Sequence, residues 1–179
     1  KYNMDAKAFI EQLLMEDIPD YSKWWNNCIQ VKKLLDDYDD TEGNKLMKAI
    51  SEVLPENPTV TVDIGQNVCW AAQSLQLKGT KGRIIIGGSY GAMGVGMPYA
   101  IGASISRGNR LTFSITGDGG LQMNIQELET ISREKLPIKI LVVNNRELGK
   151  ISEIQHGSYE DRYIITTPES GYTVPDFVK

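Results

Sequence analysis

Apolar residues early in the chain recur at helical spacing: Phe9, Ile10, Leu13 and Leu14 fall on one stripe, and the pair Trp24-Trp25 follows. The pattern predicts a helical unit over 1–36 with no strand to pack on. Residues 37–44, acidic and turn-rich, read as a linker. Beyond it, over 45–179, the pattern changes. Short apolar runs at 59–64, 83–86, 111–115 and 138–143 have the length and β-branched content of buried strands. Helical stretches at 45–53, 68–77, 97–106 and 124–134 alternate with them. This alternation predicts an α/β domain, a parallel sheet flanked by helices in a Rossmann-like three-layer arrangement. Asn124 with Glu127, and Met123 with Leu128, predict a capping box and a hydrophobic staple at the start of the last helix. Open α/β sheets bind ligands beyond the carboxyl ends of their strands, so chemistry is expected in the loops after Ile64, Ile86, Ile115 and Val143.

Composition narrows the partners. Lys and Arg total 19 against 23 for Asp and Glu, a net charge of -4, and no basic run is long enough to grip a phosphate backbone. Nucleic acid is excluded as an expected partner. No apolar stretch is long enough to cross a bilayer, so no membrane partner is expected either. Cys28 and Cys69 lack metal-type spacing and read as reduced, and KYNMDAKAF carries no signal-peptide core. These features lead to the expectation of a cytoplasmic protein. A single histidine, His156, leaves only a hard, oxygen-loving metal as a candidate.

One run leads directly from a predicted strand into Gly117-Asp118-Gly119-Gly120, and another into Asn144-Asn145. Glycines let backbone N–H groups approach an anion, and a divalent cation would let the Asp118 carboxylate share a site with a phosphate, with Asn145 as a neutral oxygen ligand. Taken alone, a Gly-Asp-Gly-Gly run more often marks a simple turn. A dinucleotide site is the competing reading, but Tyr99 and Gln122 stand where the third glycine of its fingerprint belongs. A non-catalytic scaffold is a third alternative that composition leaves open.

The run GDGG...NN resembles the GDG...NN fingerprint of thiamine-diphosphate enzymes. Two further segments, DIGQNVCWAAQ and GGSYGAMGVGMPYAIGAS, resemble the acetolactate synthase large-subunit group within that family. The resemblance covers roughly 59–150. It implies Mg²⁺ bound by Asp118, Asn145 and the Glu147 carbonyl. It implies a diphosphate site at Ile64, Gly65, Gln66 and Asn67, with Gly117, Gly119, Gly120, Leu148 and Gly149 also against the cofactor. The Gly91 carbonyl would accept from the aminopyrimidine and Met93 would wedge the cofactor into a bent shape.

The same resemblance implies a 2-oxo acid substrate, decarboxylated and joined to a second carbonyl compound. The alternative is a 2-oxo acid decarboxylase or another carbon–carbon lyase. The activating glutamate is expected on a pyrimidine-binding domain of a second subunit, in a homodimer or homotetramer, so no catalytic residue is assigned within this chain. Residues 1–36 would be the end of a middle domain, and 45–179 a cofactor domain cut short in a helix beginning near Pro175. Any FAD site would lie largely outside the chain. Four positions depart from the family pattern: Asn67, Tyr90, Lys150 and Ile154, where His, Leu, Met and Trp are usual.

Overall fold

Four strands, β1 (Thr59–Val62), β2 (Arg83–Ile86), β3 (Thr112–Gly117) and β4 (Ile138–Val143), form an all-parallel sheet in the order β2-β1-β3-β4. The computed structural model of the chain describes residues 3–17, 19–38 and 41–177. Val62 pairs with Ile86 and with Ile115, so β1, β2 and β3 end at nearly one level, and β3 continues through Gly117 alongside Val143 of β4. The register brings the predicted site loops to one edge of the sheet.

Period-two alternation decides what covers each face. Val60, Val62 and Ile115 point to one side, where Met47, Ile50 and Leu54 of the α3 region (Glu42–Val53) and Ala71 and Leu75 of the α4 region (Gln66–Ser74) complete the core. Thr61, Ser114 and Thr116 point to the other side, which is small and hydroxyl-bearing. There α5 (Gly96–Ser106) comes close enough for the Thr61 hydroxyl to donate to Gly96 O at 2.7 Å. Helices thus lie on both faces of the parallel sheet, the three-layer α/β architecture expected. Two strands differ from expectation: β2 and β4 are the edges of the sheet, Ile84 and Ile86 are exposed rather than buried, and no residue of β4 is fully buried.

The chain divides into two compact units, Lys1–Tyr38 and Asp39–Lys179. In the first, α1 (Ala6–Leu13) is capped by the Asp5 carboxylate, which accepts from the Lys7 and Ala8 N–H groups, and α2 (Ser22–Tyr38) follows. The apolar stripe of α1 is exposed, and Trp24 and Trp25 are exposed too. The linker expected over 37–44 is shorter than the pattern implied. Asp39 and Asp40 lie outside the described residues, but α2 runs through Tyr38 and α3 starts at Glu42. Thr41 caps α3, its hydroxyl accepting from Asn44 N, and Gly43 is buried under the Trp70 ring. Among the described residues no helix is long and apolar enough to cross a membrane.

The last predicted helix, 124–134, is shorter than expected, and a helix that the pattern did not predict precedes it. A short helix, α6 (Asp118–Met123), begins at Asp118 itself, and α7 (Glu127–Arg133) follows after a break. The capping box does not form. Asn124 closes α6 instead, and its side-chain Nδ2 donates to Gly94 O at 2.8 Å, a tertiary contact that local spacing does not reveal. After β4 comes α8 (Gly149–Ser158).

Candidate functional site

From the end of β1 at Val62 the chain passes through Asp63 and Ile64 to Gly65, which takes φ +126° as the residue before α4. Gly65 brings no side chain to cap α4. Leu148, in the same position before α8, brings none either. The first N–H groups of both helices are therefore left without a side-chain partner, and such groups attract anions. Both helix starts line one cavity of about 200 Å³ at the carboxyl edge of the sheet.

The β1 end supplies Ile64, Gly65, Gln66 and Asn67 to that cavity, and the loop after β2 supplies Gly91 and Met93. From α6 come Gly119 and Gly120, and after β4 come Asn145, Glu147, Leu148 and Gly149. The predicted cofactor residues thus converge, except for two. Gly117 and Asp118 do not line the cavity: Gly117 ends β3, and Asp118 is buried directly before Gly119. Trp70, Val143, Lys150 and Ile151 line it as well and were not singled out for the site. The signal was there for two of them, since Trp70 lies within the recognised segment DIGQNVCWAAQ and Ile151 directly follows the recognised stretch. Lys150 was noticed only as a departure.

Polar contacts tie the walls together. Asn145 Nδ2 donates to Gln66 Oε1 at 3.4 Å, and Asn145 Oδ1 accepts from Glu147 N at 3.1 Å. The Ser152 hydroxyl donates to Glu147 Oε2 at 3.1 Å. Lys150 reaches Glu153 at 3.1 Å, and that carboxylate holds its ammonium above the ordinary lysine range. A Cβ on Gly119 would stand 3.2 Å from Met93 Cε and 3.1 Å from the Tyr172 hydroxyl, so the thioether end of Met93 lies over α6. Asn67 Oδ1 is buried with no hydrogen-bond partner among the described residues.

Asp118 carries the electrostatic weight. It is 1% exposed, and burial pushes its carboxyl above the ordinary aspartate range, opposed by backbone N–H donors and the Tyr172 hydroxyl and reinforced by the charge of Glu147. Tyr172 OH stands 3.4 Å from Asp118 Oδ2. A buried carboxylate close enough to the Glu147 carboxylate to feel its charge has the hard-oxygen chemistry of a Mg²⁺ site that leaves positions for phosphate oxygens. Among the described residues no group of three or more His, Cys, Asp or Glu is placed to hold a metal, so a metal here would be shared with a bound anion. The oxygen donors of Asp118 and Glu147 suit a cation that a diphosphate could share.

Comparisons with known proteins bear on the cofactor alone. The family profile described as "Thiamine pyrophosphate enzyme, C-terminal TPP binding domain" matches residues 63–179. The chain is 35% identical over 160 residues to the acetolactate synthase isozyme 2 large subunit of Escherichia coli (strain K12), covering 87% of this chain and 28% of that protein. It is 37% identical over 191 residues to the probable acetolactate synthase large subunit of Methanocaldococcus jannaschii, covering 98% and 32%. With the large subunit of Cyanidium caldarium the identity is 42% over 117 residues, covering 65% and 19%. The chain spans less than a third of the length of each of these relatives.

Proposed function

Because the chain belongs to the thiamine pyrophosphate enzymes through their C-terminal cofactor-binding domain, we propose that its cavity holds the diphosphate end of the cofactor with Mg²⁺, in an acetolactate synthase-like enzyme. The single observation behind this reading is the pair of helix starts without side-chain caps, α4 and α8, lining one cavity beside a buried carboxylate. The bound cofactor supplies the electron sink that lets a 2-oxo acid lose CO₂ and attack a second carbonyl compound.

This chain's residues bind and orient. The N–H groups of Gln66, Asn67, Gly149 and Lys150 would hold phosphate oxygens. Asp118, Asn145 and the Glu147 carbonyl would hold Mg²⁺, while Gly91 and Met93 would meet the rings. A volume of about 200 Å³ falls below the roughly 300–1,000 Å³ usual for ligand sites, which supports a second wall from the pyrimidine-binding domain of another subunit, in a homodimer or homotetramer. Cys28 and Cys69 are unpaired, in keeping with the reducing cytoplasm. An FAD site, where the full-length enzyme has one, would lie outside this chain.

One observation favours a second reading. Lys150 puts a cation in the cavity wall where the family pattern has Met, and this suits a 2-oxo acid decarboxylase or lyase acting on a different acid. The test is to assay the full-length enzyme on pyruvate, following acetolactate and free aldehyde separately, with Asp118→Ala as control. Acetolactate formation that needs Mg²⁺ and is lost in the variant is the expected result. Turnover and magnesium dependence unchanged in Asp118→Ala would sink the metal assignment, and aldehyde as sole product would favour the second reading.

A further inference from the structure

Asp63 sits immediately after β1, is 1% exposed, and does not line the cavity. Burying a carboxylate is costly unless its oxygens are met by donors, and here both are. Oδ1 accepts from Ile64 N at 2.8 Å, and Gly94 N–H approaches Oδ1 and Oδ2 at 3.0 and 3.1 Å. The Thr116 hydroxyl donates to Oδ2 at 2.8 Å. These donors come from three places: the start of the β1–α4 loop, the loop between β2 and α5, and the end of β3.

The surroundings are shaped to the carboxylate. A Cβ on Gly96 would stand 2.9 Å from Asp63 Cβ, and one on Gly120 would overlap Asp63 Oδ2. The Gly94 N–H belongs to the peptide that joins Met93 to Gly94, so Asp63 holds the Met93 peptide itself. The next peptide is held from the other side, its Gly94 carbonyl accepting from Asn124.

We propose that Asp63 is a positioning residue, the buried acceptor that sets Gly91 and Met93 in register with the Gly65–Asn67 turn and with Asp118. The proposal rests on the reading of the cavity as the thiamine diphosphate site. It separates two roles: residues of the cavity wall touch the cofactor, and Asp63 acts only through them.

Three variants of the full-length protein test it. Asp63→Ala removes every acceptor. Asp63→Asn keeps Oδ1 for the two N–H donors, and its Nδ2 can donate to Thr116 once that hydroxyl turns to accept. Thr116→Val removes one donor. Amide exchange of the peptide covering 88–95 is compared with exchange in β4, and binding of thiamine diphosphate with Mg²⁺ is titrated. In Asp63→Ala, exchange over 88–95 should quicken and the cofactor Kd rise by about tenfold or more, with β4 exchange unchanged. Asp63→Asn should stay within about threefold of wild type, and Thr116→Val should fall between the two.

Equal acceleration in β4 would reduce Asp63 to a stability residue and overturn the proposal. So would an Asparagine variant as impaired as the alanine one. Should Asp63→Ala not fold, Thr116→Val decides: unchanged exchange over 88–95 and unchanged Kd overturn the idea. If wild-type protein binds no thiamine diphosphate, the reading of the cavity fails, while exchange over 88–95 still decides what Asp63 does.

Discussion

Met93 is half-buried, with its thioether end over Gly119. Truncating a fully buried Met costs about 2–5 kcal/mol, so Met93→Ala should destabilise less than that while impairing cofactor binding and turnover markedly. A variant that melts much earlier yet keeps full specific activity while folded would mark Met93 as plain packing. Asp118 gives a prediction with a definite sign. Its carboxyl is raised in the folded chain, so the stability linked to its proton is fully present below the unfolded-state value and lost as pH rises through the folded one. Without divalent metal, Asp118→Asn should therefore melt above wild type at neutral pH, and the gap should close as the pH falls below the ordinary aspartate range. Melting curves in a chelating buffer across that range check this, and a variant melting at or below wild type at neutral pH would contradict it. Saturating Mg²⁺ and thiamine diphosphate should reverse the order, because only the wild-type carboxylate gains a cation.

Helices and strands were legible in unequal measure. The strands stood out because β-branched runs led into glycines or, after β4, into Asn144-Asn145, and β2, β4 and the body of α5 fall where the pattern put them. The break between α6 and α7 was hidden, because Asn124 spends its amide on Gly94, thirty residues away in sequence. Asp63 was hidden for the same reason: its partners Gly94 and Thr116 meet it only once the sheet is assembled. Glycines within helices divide by what surrounds them. A Cβ on Gly102, on the exposed side of α5, would meet nothing within 4 Å. Gly102→Ala should stabilise by about 0.5–1 kcal/mol through helix propensity, raising the melting midpoint by ~1–4 °C. Gly120 in α6 is the opposite case, since the added methyl overlaps Asp63 Oδ2. Gly120→Ala should destabilise by about 1–3 kcal/mol, and thermal melts of the two variants should move in opposite directions.

At the scale of the whole molecule, the converging loops were legible through their motifs, whereas the size of the cavity was not. That volume, about 200 Å³, matches part of a site, and half a pocket enforces a ligand's conformation poorly. The 179-residue chain by itself should therefore bind thiamine diphosphate feebly and release CO₂ from pyruvate only at background. Turnover of about 1 s⁻¹ or more by the purified chain would contradict this. Trp70, whose ring covers Gly43 on one side and lines the cavity on the other, has an optical consequence. Trp24 and Trp25 are exposed and should emit as water-solvated indoles, so replacing both with Phe leaves Trp70 as the only tryptophan of this chain. Its emission should then shift or quench as the cofactor fills the cavity, reporting occupancy without any label.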